Sequence, residues 1–258
     1  MSSFAVRDEG GIRTITLTNA ARRNALSAEL LNGIRGALEA SPIPRVAIVR
    51  AELEATTWSA GHDISEIPRG EHDPLSWANP LEQFLLTLER LPFPVIAAVH
   101  GGVWGGACDV VMTCDLVAAS RDATFAITPT KLGVPYNGYG VGHFLSALPN
   151  HIAKEMFFTA EPISAQRAYD LGVVNALVDT ASEAHERAEA MAKVIATRAP
   201  LSIRAIKAEF TALSSPPPQP IATHEYLTDL RRTAWESSDF QEGLQAFDER
   251  RPPVFTGE

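Results

Sequence analysis

Cysteine is scarce in this chain of 258 residues: only Cys108 and Cys114 occur, both inside one short stretch. So small a supply argues against a disulfide scaffold and fits a reducing compartment, so a cytoplasmic location is expected. Cations are also in deficit, with 22 Lys and Arg against 31 Asp and Glu and a formal net charge of −9. No broad basic face can be assembled from that balance, so neither nucleic acid nor an acidic membrane surface is expected as a general partner. An anionic ligand would need a local cluster of cations set against the overall field. No apolar run approaches the length of about 18 residues that a membrane span requires, and the opening MSSFAVRDEGG has no apolar signal core. The seven histidines show no HxxxH-type spacing, and no metal is expected. No internal repeat is visible. What remains, 45% hydrophobic and 21% charged residues, is the composition of an ordinary globular chain, long enough for one large domain with or without a small appendage.

The stretch that organises the rest runs from Pro94 to Asp115, PVIAAVHGGVWGGACDVVMTCD. Its apolar, β-branched run Val95–Val99 is short and bounded by Pro94 and Gly101, which predicts a buried strand. Glycines 101, 102, 105 and 106 follow, and the next residues predict a helix. Two readings are open. The glycines make a tight strand-to-helix turn, or they let a ligand approach the main chain at a helix mouth whose free N–H groups suit a developing negative charge. The pattern is not GxGxxG, so a dinucleotide fingerprint is not indicated.

Along the chain, Ile12 to Thr18 alternates in part and predicts a strand with one buried face. Ser27 is the expected N-cap of a helix carrying Leu30, Leu31, Ile34 and Leu38 at helical spacing, stopped by Pro42 and Pro44. Val46–Val49 is the next strand. Arg69 to Pro80 predicts a polar loop, and Leu81, Phe84, Leu85 and Leu88 an amphipathic helix. Residues 116–119 and 124–127 predict short strands, and 128–140, rich in turn formers, irregular chain. Helices are expected near 141–148, 151–159 and 164–171, then a short strand, then mostly helix from Ser182 apart from the Pro-rich piece 214–220. Strand, helix, strand at the start and strand, helix at the centre argue for an α/β fold with crossover connections.

Two motifs, WSAGHDI at Trp58–Ile64 and GGVWGGACD at Gly101–Asp109, together resemble the crotonase (enoyl-CoA hydratase/isomerase) superfamily. The likeness extends from Arg22-Arg23-Asn24-Ala25-Leu26 to the tail at Gln241–Phe247, nearly the whole chain. It implies a spiral of ββα units, a core over residues 1–198, a helical C-terminal region over 199–258 that packs between subunits, and homotrimers often paired into hexamers. It also implies an acyl-CoA thioester as substrate, with CoA as the handle and no separate cofactor. The thioester carbonyl would sit between two backbone N–H groups, matched here by His62 and Gly106, beside Gly105. The His62 imidazole would then form a pocket wall, while Asp63 reads as a turn or helix cap.

The same resemblance places CoA against the main chain of Ala25, Leu26 and the segment Ala60–Ile64, including Ile64. Arg22 and Arg23 are candidates for its phosphates, and Phe247 and Arg250 match a Phe and a Lys that contact CoA from a neighbouring subunit. The family's hydratases use two glutamates. The first is matched by Asp109, one methylene shorter, and the second falls at Pro129, flanked by Thr128 and Thr130, so the acid pair is broken.

Decarboxylation of a malonyl-type thioester needs no such pair. The runs at Asp73–Ser76, Val103–Ala107, Leu132–Asn137 and Phe158–Ala168 resemble the bacterial methylmalonyl-CoA decarboxylase branch. On that reading Tyr136 orients the substrate carboxylate. Asp109 departs from the glutamate of that branch, and its role as proton donor, tuner or packing cap stays open. A hydratase, isomerase or hydrolase of the same superfamily is the alternative, and a non-catalytic CoA- or RNA-binding member the third reading.

Overall fold

The computed structural model describes residues 3–67, 79–214 and 220–257. The DPLS run, the remainder of the expected loop at 68–78 and the prolines at 216–218 lie outside them.

The elements come in the order implied by a ββα spiral. After the antiparallel pair β1 (Phe4–Glu9) and β2 (Ile12–Leu17) comes helix α1 (Ala28–Glu39). The turns that follow each place one strand in a large sheet and one in a small sheet. They are β3 (Val46–Ala51), β4 (Thr57–Ser59) and α2 (Pro80–Arg90); β5 (Val95–Val99), β6 (Gly102–Trp104) and α3 (Gly106–Thr113); and β7 (Leu116–Ser120) with β8 (Thr124–Ala126). Helices α4 (Gly138–Ala147) and α5 (Asn150–Thr159), the short β9 (Ile163–Ser164), α6 (Ala165–Asp170) and β10 (Ala176–Val178) complete the core. Then come α7 (Ala181–Ala196), α8 (Pro200–Ser214), α9 (Ile221–Trp235) and α10 (Ser238–Glu249). The large sheet runs β1-β2-β3-β5-β7-β10 and the small one β4-β6-β8-β9. Pairing is parallel from β2 to β10 and from β4 to β8.

Alternation sorts the core. In β3 and β5, Val46, Ile48, Ile96 and Ala98 face Ala188 and Ala192 of α7, whereas Ala47, Val49, Val95, Ala97 and Val99 join the main cluster with α1, α2 and α3. Burial on both faces is why these strands read as continuous apolar runs rather than alternating ones. Ser27 caps α1 through Leu30 N, as its position predicts.

One strand is added and two readings change. β1 was not legible, because five of its six residues are exposed and carry no buried alternation. Gly102–Trp104 is a strand pairing β4 and β8, not part of a turn. The stretch 128–140 holds a 3-10 turn over Pro129–Leu132 and the first residues of α4, whose cap is the Asn137 side chain on Gly140 N.

The C-terminal helices return to the core. Trp235 of α9 and Phe240 and Leu244 of α10 form a third cluster with Val134, against Ile64, Ile67 and Leu132. The approach is close enough that a Cβ on Gly243 would lie 2.3 Å from the Leu132 carbonyl oxygen.

Candidate active site

Local chemistry first fixes the turn at Gly61. Asn24 is fully buried with φ 50°, and its amide donates to the carbonyls of Thr57 and Trp58 while its oxygen accepts from Asn19 N. Ser59 donates to the Asn24 carbonyl at 2.7 Å and accepts from Gly61 N at 3.1 Å. Leu26 N then donates to the Gly61 carbonyl and Asp63 N to the Leu26 carbonyl, a parallel bridge that engages both neighbours of His62. The RRNAL and WSAGHDI segments are thereby one unit.

Gly61, at φ +88°, has no room for a side chain. A Cβ there would lie 2.3 Å from the Trp104 carbonyl oxygen and 3.0 Å from Gly106 N. A Cβ on Gly106 would in turn sit 3.6 Å from His62 N. The N–H groups of His62 and Gly106 are therefore neighbours, and among the described residues neither donates a hydrogen bond. Gly106 opens α3, so the helix end adds its partial positive charge at the same place.

Below these two donors lies a pocket of about 70 Å³, lined by Ala60, His62, Ile64, Gly105, Gly106, Thr128, Pro129 and Tyr136. Those eight were marked from the sequence. Leu81, Ile67, Leu132, Val134 and Trp235 complete the wall. Leu132 and Val134 lie in the run already matched at Leu132–Asn137, whereas Leu81 of α2, Trp235 of α9 and Ile67 are brought in by packing. Among the described residues that line it, none carries a carboxyl group. The His62 imidazole is mostly buried with Nδ1 unpartnered, and burial lowers its pKa from the usual 6.5, so the ring is neutral at pH 7.

Asp109 does not line the pocket. It is fully buried behind Tyr136, whose hydroxyl donates to Oδ2 at 2.6 Å, while His143 Nδ1 lies 2.6 Å from Oδ1. The Tyr136 proton expected to face a substrate carboxylate is thus held by Asp109. Burial, followed by the charge of Asp109, pushes the phenol well above its ordinary pKa. His143 Nε2 stands 3.5 Å from Glu89 Oε1, and Tyr139 donates to Glu89 Oε2 at 2.7 Å. Burial alone would lower the His143 pKa, but the two carboxylates raise it to about 10. Glu82, 3% exposed, accepts from Asn137 at 2.7 Å, and burial raises its pKa to about 7. Sequence reasoning missed this network. Its one signal was the placement of Glu82 and Glu89 two turns apart on one face of an amphipathic helix.

The remaining marked residues lie around the joined RRNAL and WSAGHDI segments or away from them. Arg22 pairs with Asp63 at 3.0 Å, and Asp63 caps the 3-10 turn Ile64–Glu66 through Ser65 N. Arg23, exposed and at φ 52°, offers its carbonyl to Ala60 N, and Ala25 N bonds the Arg22 carbonyl. Phe247 is 52% exposed, Arg250 is the left-handed cap of α10, and neither lines the pocket.

The model of the enoyl-CoA hydratase/isomerase family matches residues 7–258. Methylmalonyl-CoA decarboxylase of Escherichia coli K12 is 40% identical over 236 residues, covering 91% of this chain and 90% of that one. The human mitochondrial enoyl-CoA hydratase domain-containing protein 3 is 31% identical, covering 98% and 84%. A solved structure of methylmalonyl-CoA decarboxylase in complex with 2-nitronate-propionyl-CoA superposes at TM-score 0.96 and 37% identity, covering 100% of this chain and 99% of that one. One complexed with 2S-carboxypropyl CoA gives the same values.

Proposed function

Because the chain belongs to the enoyl-CoA hydratase/isomerase family, we propose that it is a carboxy-lyase that decarboxylates methylmalonyl-CoA, or a closely related malonyl thioester, to propionyl-CoA. One observation carries this: two free backbone donors stand over a pocket to which no described residue contributes a carboxyl group. Hydration requires one group to activate water and another to handle the α-proton, and Pro129, which the family resemblance matches to the second acid, lines the pocket.

In the reaction the bond between the α-carbon and the carboxylate breaks. Its electron pair becomes the thioester enolate, CO2 leaves, and the α-carbon takes a proton. The negative charge that develops on the thioester oxygen is met by the N–H groups of His62 and Gly106. Preorganised donors of this kind are worth about 3 kcal/mol each in the transition state. The breaking bond must lie perpendicular to the thioester plane, so the walls that fix the acyl group set the rate as much as the donors do. Ile64, Leu81, Leu132, Val134 and Trp235 also solvate a carboxylate poorly, which avoids stabilising the ground state.

CoA enters as part of the substrate, and no separate cofactor is part of the proposal. Its adenine end is assigned to the main chain of Ala25, Leu26 and Ala60–Ile64, its phosphates to Arg22 and Arg23. Phe247 and Arg250 reach CoA in a neighbouring subunit of a homotrimer or hexamer. Support for assembly comes from apolar side chains left exposed on the C-terminal helices, among them Leu201, Ile206, Phe210, Leu213 and Tyr226. Among the described residues no helix is long and apolar enough to cross a membrane, and a cytoplasmic location is part of the proposal. The test is a panel of malonyl-, methylmalonyl- and ethylmalonyl-CoA, with CO2 and acyl-CoA product measured. Turnover of at least one supports the reading, and turnover of none removes it.

A further inference from the structure

Resting on that reading, we propose that His143 is a positioning residue for the decarboxylation, acting through Asp109 on the hydroxyl of Tyr136, the one residue of the three that reaches the pocket. Each link is short. Asp109 has no exposed surface, and its two carboxylate oxygens are shared between Tyr136 OH and His143 Nδ1, both at 2.6 Å. A buried carboxylate must be compensated by donors and charge. Its second compensation comes from α4, where His143 stands between Asp109 and Glu89.

The consequence falls on the phenol. With an imidazolium on Oδ1, Asp109 needs less from Tyr136, so the hydroxyl can exchange its bond to Asp109 for one to a substrate carboxylate. Without that charge Asp109 has only neutral side-chain donors, one of them Tyr136, and turning the hydroxyl toward the substrate leaves the buried carboxylate poorly compensated. His143 thereby sets how readily Tyr136 can serve the pocket, although it lines a separate cavity and is not among the residues that line the pocket itself.

A second observation shows that the Tyr136–Asp109 contact is built into the backbone. A Cβ on Gly140, one turn before His143, would lie 2.3 Å from the Tyr136 ring and 2.8 Å from Asp109 Oδ2. Only glycine lets the ring and the carboxylate meet across α4.

The experiment is a double-mutant cycle of His143→Asn and Tyr136→Phe, with kcat and KM for methylmalonyl-CoA and the melting temperature of each variant. Asn keeps a donor near the Nδ1 position and removes the charge. His143→Asn should lower kcat roughly 10-fold, the scale of one charge-assisted hydrogen bond, with KM within about 3-fold of wild type. The double variant should be no slower than Tyr136→Phe alone, because the effect of His143 passes through that hydroxyl. Losses that multiply, or a fall that follows KM, overturn the proposal. Gly140→Ala, which removes no polar group, should reproduce the kcat loss, and wild-type kcat in a folded Gly140→Ala protein also overturns it. A reading without turnover separates this inference from the functional one. The carbon-13 shift of the Tyr136 ring carbon bearing the hydroxyl should move in His143→Asn, and an unmoved signal contradicts the relay even if wild type decarboxylates nothing.

Discussion

Gly61 and Gly106 come so close that a methyl group on the first would sit 3.0 Å from the nitrogen of the second. That approach puts the His62 and Gly106 N–H groups side by side, and it is fixed by backbone from two sequence-distant turns. The same Cβ would collide with the Trp104 carbonyl at 2.3 Å.

Gly61→Ala should therefore lower kcat about 10²- to 10³-fold, the effect of losing one preorganised donor, since the chain must shift to relieve both contacts at φ +88°. Circular dichroism and steady-state kinetics on the same sample check this. A folded variant with wild-type kcat would contradict the placement of the donors.

Tyr136→Phe should lower kcat between about 2- and 100-fold, depending on whether a hydrogen bond alone or the carboxylate alignment is lost. Binding of propionyl-CoA, which has no carboxylate, should hardly change. The variant also strips one donor from buried Asp109, so its stability should fall by about 1.5–3 kcal/mol. Urea midpoints and product-binding titrations separate the two effects. An equal loss of affinity for propionyl-CoA and methylmalonyl-CoA would count against a role at the carboxylate.

Stability should depend on pH through three buried groups. His143 has a folded pKa raised to about 10 against about 6.5 unfolded, so the folded state holds more protons in that window. Its contribution is complete below pH 6.5 and is lost as pH rises through 10. His185, pushed down to about 4 by burial and then by Arg50 and His100, acts oppositely, with stability lost as pH falls from 6.5 to 4. Glu82, raised to about 7, loses stability as pH rises from 4.5 to 7 and so offsets His185. Urea midpoints at pH 5, 7 and 10 should show a nearly level acid side and a falling alkaline side in wild type. His143→Asn should level the alkaline side, and Glu82→Gln should make the acid side fall. An unchanged profile in both variants would contradict these assignments.

Local signals carried much of this. Ser27 announced a cap and Val95–Val99 a buried strand, because each depends on neighbours within a few residues; His62 and Gly106 were marked through the resemblance of two glycine-bearing motifs to a family. The pocket residues Ala60, His62, Gly105, Gly106, Thr128, Pro129 and Tyr136 were all marked through that resemblance, and they line one pocket. Leu81 and Trp235 did not show, since an apolar residue on an amphipathic helix looks the same whether it faces a core or a substrate. Glu89 and His143 were hidden for a related reason: they lie on separate helices, and only the packing of α2, α3 and α4 brings His143 between Glu89 and Asp109. The Tyr136 hydroxyl was legible as a functional group, but its partner was not.

The wild-type protein, given methylmalonyl-CoA and crotonyl-CoA in parallel with propionyl-CoA and 3-hydroxybutyryl-CoA quantified, tests the central claim most directly. With two free backbone donors and no carboxyl group among the described residues of the pocket, propionyl-CoA should form readily and hydration product negligibly. Hydration at a rate comparable to decarboxylation would contradict the account.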